Sequence, residues 1–127
     1  MTEGGAAGQW GLYPWFAEHG EDLVHPDDRE AFAALMPYGK VFRCDGEVDG
    51  YLRLAYGERD FRVRPGLFQR VEPPTYGFGA EVVVPKHGAA VVREINWHHK
   101  ESEPLYFVEA AGNRLKKRYF TRDLAPA

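Results

Sequence analysis

Histidine and cysteine side chains are the groups in this sequence that could carry acid–base, nucleophilic or metal chemistry. His98 and His99 are adjacent, so on a strand they point to opposite faces and cannot bind one metal ion together. The other three histidines show neither the i,i+4 spacing of a helical ligand pair nor the i,i+2 spacing of a strand pair. Cys44, the single cysteine, lies in a predicted strand, where cysteine is usually a small core residue. We therefore expect no metal site and no enzyme activity.

The glycine pattern gives no sign of a nucleotide or cofactor site. Gly77-Phe78-Gly79 is too short for a dinucleotide fingerprint, and the sequence has no glycine-rich phosphate loop or serine nucleophile motif. Asp27 and Asp28 could form a carboxylate pair, but Pro26 followed by acidic residues is typical of a helix start. We expect no cofactor.

An acidic segment near the N-terminal end is one candidate surface for binding a partner. Between Glu18 and Glu30 there are six acidic residues and one basic residue, while the whole chain has a net charge of −3. Asp27, Asp28 and Glu30 are the predicted contacts. They would meet a basic site on another protein, as in an inhibitor or immunity-type protein.

Three aromatic residues before this segment, Trp10, Tyr13 and Trp15, have two interpretations. Pro14 prevents a regular helix here, so we expect an extended strap laid across the fold. The rings could line a groove that takes a peptide or a cationic side chain. They could also fill the core or cover the open edge of a sheet. The first interpretation adds these three residues to the predicted protein-binding surface.

A basic strand predicted from Arg114 to Phe120 supports an alternative function, nucleic-acid binding. Its candidate contacts are Arg114, Lys116, Lys117, Arg118 and Tyr119. In this interpretation the cations contact phosphates and an aromatic ring stacks on a base. The other interpretation is a solvated edge strand whose charges block unwanted strand pairing.

Composition shifts divide the chain into four segments. Residues 1–9 are rich in Gly and Ala and are predicted to be disordered, and residues 10–39 contain the strap and a helix. Residues 40–72 alternate apolar and polar positions, which predicts a first small β unit. Pro73-Pro74 is the predicted boundary, and residues 75–124 form the second β unit.

One short helix is predicted within the N-terminal segment. Pro26 suits its first position, and Phe32, Leu35 and Met36 recur at helical spacing as an apolar stripe. Pro37 then ends it.

Spaced glycine, valine and aromatic positions in the C-terminal segment lead to a family resemblance. The pattern consists of Gly79, a valine-rich strand, Gly88, Val91-x-x-x-Ile95-x-Trp97, Tyr106-x-Val108, Gly112 and Asp123-Leu124. Residues 79–124 therefore resemble SH3-like barrels of the Tudor and KOW kind, and Tyr51 to Val71 looks like the second half of another such unit. The whole chain also resembles a family of uncharacterised bacterial proteins. The shared blocks are Gly-Leu-Tyr-Pro-Trp-Phe, His-Pro-Asp-Asp, Trp-His-His-Lys and Arg-Tyr-Phe-x-x-Asp-Leu. This resemblance implies a fold and no catalytic residues.

Together these patterns predict a mainly β protein of two packed, SH3-like small β units with one short N-terminal helix. The expected function is non-catalytic protein binding, with nucleic-acid binding as the alternative. The lone thiol, the polar N-terminus and the lack of an apolar run of about 20 residues predict a cytoplasmic protein without a membrane partner. Edge strands and the aromatic strap could form a symmetric interface, so we expect a monomer or a homodimer.

Overall fold

A computed structural model describes residues 8–16, 18 and 20–127 of the chain. The chain divides into two compact units, Met1–Pro73 (unit 1) and Pro74–Ala127 (unit 2). Of the segment 1–9 that was predicted to be disordered, residues 1–7 lie outside the described residues, whereas Gln9 begins a strand. The predicted mainly β fold, with two sheets and a short helix, is confirmed.

Unit 1 is built on a five-stranded antiparallel sheet. Its strands are β1 (Gln9–Leu12), β2 (Val41–Val48), β3 (Tyr51–Tyr56), β4 (Arg59–Val63) and β5 (Gln69–Val71). Their order across the sheet is β4-β3-β2-β1-β5. The strap that contains Trp10 therefore begins as a strand inside this sheet, because β1 pairs with β2 on one side and with β5 on the other.

A glycine permits the close approach of β1 and β5. A Cβ atom added to Gly11 would lie 2.6 Å from the carbonyl oxygen of Gln69 and 2.6 Å from the ring of Phe68. Both distances are far below van der Waals contact, so a side chain at this position would push the two strands apart.

The helix α1 (Arg29–Leu35) follows β1 in the chain and buries a single aromatic residue. Asp28 is its N-cap, so the helix begins three residues later than Pro26 predicts. Phe32 is fully buried and contacts Phe42 of β2 and Phe61 of β4, with ring centroids 5.7 and 5.1 Å away. The burial of Phe32 thus holds α1 against the sheet.

Unit 2 is built on a six-stranded antiparallel sheet. Its strands are β6 (Glu81–Val84), β7 (Gly88–His98), β8 (Glu103–Ala110), β9 (Asn113–Arg114), β10 (Tyr119–Phe120) and β11 (Ala125–Pro126). The order is β10-β8-β7-β6-β11, and β9 also pairs with β8. The core side chains include Val82, Ile95, Tyr106 and Val108, which all have essentially no exposed surface.

The two units share the way in which the last strand returns to the first. In unit 1 a 3₁₀ turn (Pro65–Leu67) precedes β5, which pairs with β1. In unit 2 a 3₁₀ turn (Thr121–Asp123) precedes β11, which pairs with β6. The similarity predicted between the two halves of the chain is therefore present at the level of strand order.

Among the residues that the structure describes, no helix has the length and apolar character that crossing a bilayer requires.

Candidate functional site

The strap residues Tyr13 and Trp15 serve the core of unit 1. Their exposed fractions are 0% and 2%, and both rings contact Phe32, at 5.9 and 5.6 Å between centroids. The Tyr13 hydroxyl donates to the carbonyl of Arg64 at 2.6 Å, and burial raises the pKa of Tyr13 well above its usual range. Both rings therefore belong to the core, although the edge of Trp15 also lines the pocket described below. Trp10, the third predicted contact, is half-buried in β1.

Asp28, predicted to contact a partner, instead forms hydrogen bonds and an ion pair with Arg62 of unit 1. Its carboxylate accepts hydrogen bonds from the backbone amide and the Nε of Arg62, both at 2.9 Å. The side-chain hydrogen bond from Arg62 lowers the pKa of Asp28, and the same bond raises the pKa of Arg62. This pair joins the N-cap of α1 to β4.

The other two predicted acidic contacts lie on the surface. The Asp27 side chain is 76% exposed and lies 3.8 Å from the Arg62 guanidinium, and Glu30 is exposed on the first turn of α1. Glu21 and Asp22 are exposed on the preceding 3₁₀ turn. Within the described part of unit 1, no ion pair joins Glu21, Asp22 or Glu30 to a cation.

The largest exposed apolar side chains near α1 gather around one open pocket. Phe16, Met36 and Tyr38 are 49%, 69% and 52% exposed, and the rings of Phe16 and Tyr38 stack with centroids 5.3 Å apart. The pocket has a volume of about 490 Å³. Its lining residues are Trp15, Phe16, Ala33, Met36, Pro37, Tyr38 and Lys40. We call this set the apolar pocket. Among its lining residues, Lys40 is the one side chain that carries a full charge.

Met36 occupies an unusual backbone conformation at the end of α1. It is the C-cap in the left-handed region, with φ 58° and ψ 71°. Glycine is the usual residue at a left-handed helix end because it has no Cβ to clash with the backbone. The prediction that Met36 continues the apolar stripe of the helix is wrong, because α1 ends at Leu35 and Met36, its left-handed C-cap, is 69% exposed.

A second, polar pocket lies at the hairpin that joins β2 to β3. It has a volume of about 320 Å³ and is lined by His25, Val48, Asp49, Tyr51, Arg53 and Arg62. Arg53 pairs with Asp60 at 3.1 Å, and Arg62 pairs with Asp28. Because both guanidinium groups already have carboxylate partners, this pocket offers little net charge to a ligand.

Cys44 and the histidines do not assemble a reactive centre in the described residues. Cys44 is fully buried, its Sγ lies 3.6 Å from the Gly46 carbonyl oxygen, and burial raises the pKa of its thiol. A buried protonated thiol is a weak nucleophile. In the same part of the chain, no group of three His, Cys, Asp or Glu side chains is close enough to hold a metal ion.

The basic segment of unit 2 is not a continuous strand. β9 ends at Arg114 and β10 begins at Tyr119, so residues 116–118 lie outside both strands. We call Lys116, Lys117 and Arg118 the basic bulge; all three are exposed. Arg114 forms an ion pair with Glu94, and Tyr119 is 4% exposed. Two of the five predicted contacts are thus used by the fold itself, since a buried tyrosine ring cannot stack on a base.

Sequence reasoning missed the apolar pocket, although a signal for it was present. Pro37 correctly predicted the end of the helix, which stops at Leu35. The residue just before such an end is a C-cap position, where side chains often leave the buried face. Phe16 and Tyr38 had no signal of their own, because exposed aromatic residues follow no period.

A protein-family model matches residues 1–125, nearly the whole of both units, and its description is "Family of unknown function (DUF6960)". No curated protein and no solved structure shows a significant match to the chain.

Proposed function

The chain belongs to this family of unknown function, and we propose that it is a non-catalytic protein-binding module whose docking surface is the apolar pocket of unit 1. The observation that carries the proposal is the exposure of Phe16, Met36 and Tyr38 around that pocket. Contiguous exposed apolar side chains often mark a protein-interaction site. Burying each of these half-exposed side chains in a complex would contribute about 1 kcal/mol.

The backbone of Met36 supports the same proposal. A non-glycine residue in the left-handed region costs about 1 kcal/mol relative to glycine. Glycine would fit the helix end better and would remove an exposed apolar side chain. Strained backbone conformations cluster at binding and active sites, although four other described residues, Asp49, Lys86, Ser102 and Ala111, also have a positive φ. The Met36 side chain also suits a docking surface because methionine adapts its shape to different partners.

Acidic residues next to the pocket in the chain support a basic partner, although the one charged lining residue is Lys40. Glu30 lies one helical turn before the lining residue Ala33, and Glu18 lies two residues after Phe16; both acids are exposed. Glu21 and Asp22, on the 3₁₀ turn between Glu18 and α1, are also exposed. Unit 1 as a whole carries 8 Lys and Arg against 13 Asp and Glu. We therefore propose a partner segment that inserts an apolar side chain into the pocket and presents Lys or Arg to these acids.

The pocket lining is suited to binding rather than catalysis. The titratable groups among its residues are the Lys40 ammonium and the Tyr38 hydroxyl, and Lys40 lies 5.8 Å from the ring centroid of Tyr56. A general acid–base pair requires two groups with matched pKa values that both reach a substrate. An apolar wall with a charged rim instead resembles the centre and rim of a protein interface.

We also propose that each unit is an SH3-like barrel. In each unit the first four strands pair in chain order as a meander, and the last strand follows a 3₁₀ turn and returns to pair with the first, which supports this assignment. An experimental structure in which β5 does not pair with β1, or β11 with β6, would contradict it.

The docking proposal is tested by placing a photo-crosslinking amino acid at Tyr38 and, as a control, at the exposed Val83 of unit 2. Cross-linking in extracts of the source organism should yield a basic protein from the Tyr38 position and not from Val83. The captured partner is then purified, and its affinity is measured for the unmodified chain and for the double variant Met36→Ser/Tyr38→Ser. We expect at least about a tenfold loss of affinity, because truncating central interface residues costs about 2 kcal/mol or more.

A matched control uses Val48→Ser/Val83→Ser, which removes two other exposed apolar side chains. This variant should bind like the unmodified chain. Equal binding by all three proteins, or capture of a second copy of the chain alone, would overturn the proposal of a basic partner at the apolar pocket.

A further inference from the structure

The basic bulge of unit 2 is an interruption in the pairing between the C-terminal chain and β8. The Leu115 amide donates to the carbonyl of Val108 at 3.0 Å, and Tyr119 pairs with Tyr106. Lys116, Lys117 and Arg118 therefore all stand opposite the single residue Phe107. The bulge holds three consecutive cations away from the sheet, where their side chains are exposed.

The bulge cations differ from the other arginines of unit 2 in their partners. Arg93 pairs with Glu109 at 3.1 Å, Arg114 pairs with Glu94, and Arg122 pairs with Glu103 at 3.3 Å. Within the described residues, no carboxylate forms an ion pair with a cation of the bulge; Lys117 lies 5.4 Å from the ring centroid of Tyr119. Unit 2 carries 8 Lys and Arg against 6 Asp and Glu, so its excess positive charge is concentrated here.

The aromatic residues next to the bulge are already covered. Tyr119 is buried, and Phe120 lies between His98 and the Arg122 guanidinium, at 5.3 and 4.2 Å from their centres. Neither ring presents a free face on which a base could stack, so base readout of the kind seen in aromatic platforms is not available here. What the bulge offers is positive charge on exposed side chains.

We propose that the basic bulge binds the phosphate backbone of nucleic acid without reading its base sequence. Arg118 can hold one phosphate through two parallel N–H bonds, and the two lysines act as point charges toward neighbouring phosphates. Three phosphate contacts on duplex DNA predict a salt slope of about −2.7 in log K against log salt concentration. Binding of this kind is weak, with dissociation constants of about 10⁻⁴ to 10⁻⁶ M at physiological salt.

An unpaired basic edge could instead serve to prevent aggregation. Lysine on an exposed strand edge blocks pairing with another chain, and a bulge does the same by distorting the edge. The two roles differ in what neutralisation does. If the cations protect the strand edge, their removal causes self-association. If they bind phosphate, their removal weakens nucleic-acid binding and leaves the oligomeric state unchanged.

The test uses fluorescence anisotropy with two labelled duplexes of unrelated sequence and equal length, over a series of salt concentrations. The variant Lys116→Gln/Lys117→Gln/Arg118→Gln is compared with Arg70→Gln/Lys86→Gln/Lys100→Gln, which removes the same charge from other exposed positions. We expect the unmodified chain to bind both duplexes equally with the predicted salt slope. The bulge variant should lose at least about tenfold in affinity, and the control should change by less than about twofold.

Three results would overturn the proposal: no binding by the unmodified chain at low salt, equal weakening by both variants, or a preference for one duplex that the bulge variant retains. Light scattering of the bulge variant is measured in parallel. Self-association of this variant without nucleic-acid binding by the parent chain would assign edge protection instead. Because the bulge lies in unit 2, these outcomes are independent of docking at the apolar pocket of unit 1.

Discussion

Asp28 closes the outer edge of strand β4 through its contacts with Arg62. The Asp28 carboxylate accepts the backbone N–H of Arg62, and the neighbouring His25 amide donates to the Arg62 carbonyl at 2.9 Å. The Arg62 guanidinium then binds both oxygens of the same carboxylate, at 2.9 and 3.2 Å. One residue of an edge strand thus has both backbone groups and its charge satisfied by the segment that leads into α1, so that point of the edge cannot pair with another chain.

Asp28→Asn should destabilise the fold at neutral pH and flatten its acid dependence. The folded-state pKa of Asp28 lies below its unfolded value of about 3.9, so its contribution is complete above that value and is lost as pH falls through the folded pKa. We expect the variant to lose about 1–2 kcal/mol of unfolding free energy at pH 7, because a charge-assisted hydrogen bond is weakened. Urea unfolding followed by tryptophan fluorescence at several pH values measures both effects.

Asp27→Asn is the matched control for this experiment. Its side chain is 76% exposed, so its unfolding free energy should differ from that of the parent by less than about 0.5 kcal/mol. An Asp28→Asn variant whose difference from the parent persists undiminished at the lowest pH would show that the charge of Asp28 does not stabilise the fold.

Gly11→Ala should destabilise unit 1, because the added Cβ would lie 2.6 Å from the Gln69 carbonyl oxygen. Backbone on one side and a packed Phe68 ring on the other leave little room to relax, so we expect a loss of about 1–3 kcal/mol, as for other overpacked sites. Thermal unfolding by circular dichroism measures it. Gly66→Ala provides the control, since a Cβ at Gly66 would meet nothing within 4 Å. Similar losses in both variants would refute a steric role for Gly11.

Tyr13→Phe should separate the hydrogen bond of the strap from its packing. The ring stays in the aromatic core, while the 2.6 Å bond from the hydroxyl to the Arg64 carbonyl is lost. We expect unfolding free energy to fall by about 1 kcal/mol at neutral pH, because the partly buried Arg64 carbonyl loses its hydrogen-bond donor. The folded pKa of Tyr13 lies above its unfolded value of about 10, so stability from this group is present below that pH and is lost as pH rises.

The free energies of unfolding of the parent and of Tyr13→Phe are measured by chemical denaturation from neutral to alkaline pH. The difference between parent and Tyr13→Phe should shrink above about pH 10. A difference that stays constant would show that the hydroxyl titrates alike in the folded and unfolded chain.

Local sequence patterns predicted the strands whose pairing is regular. They did not predict the features that depend on contacts between residues far apart in the chain. Strands β2 to β5 all lie within residues 40–72, where alternating apolar and polar positions predicted a β unit, because that alternation follows from the backbone geometry of a strand. The continuous basic strand was wrong, since the apolar-basic pattern from Leu115 to Phe120 contains no signal for two extra residues opposite Phe107.

The candidate site was harder to predict than the fold. Burial of Tyr13 and Trp15 depends on Phe32, a residue that the helix brings to them from elsewhere in the chain, and no spacing rule links the three. The exposure of Met36 depends on one dihedral angle at the helix end. Within the acidic segment, Asp28 pairs with Arg62 whereas Glu30 stays exposed. The pairing of Asp28 depends on β4, which lies more than 30 residues away in the chain.

Met36→Gly should raise the stability of unit 1 while weakening partner binding. Glycine adopts φ 58° without a Cβ clash, so we expect unfolding free energy to rise by about 0.5–1 kcal/mol. Met36→Ala is the matched control, because it removes the same exposed side chain but keeps the strained backbone, and it should give no such gain. A Met36→Gly variant that is less stable than the parent would show that the methionine side chain packs for the fold. A gain in stability together with a loss of binding would show that Met36 contributes to partner binding and not to the stability of the core. The strained backbone at this position would then be a cost to folding that is kept for binding.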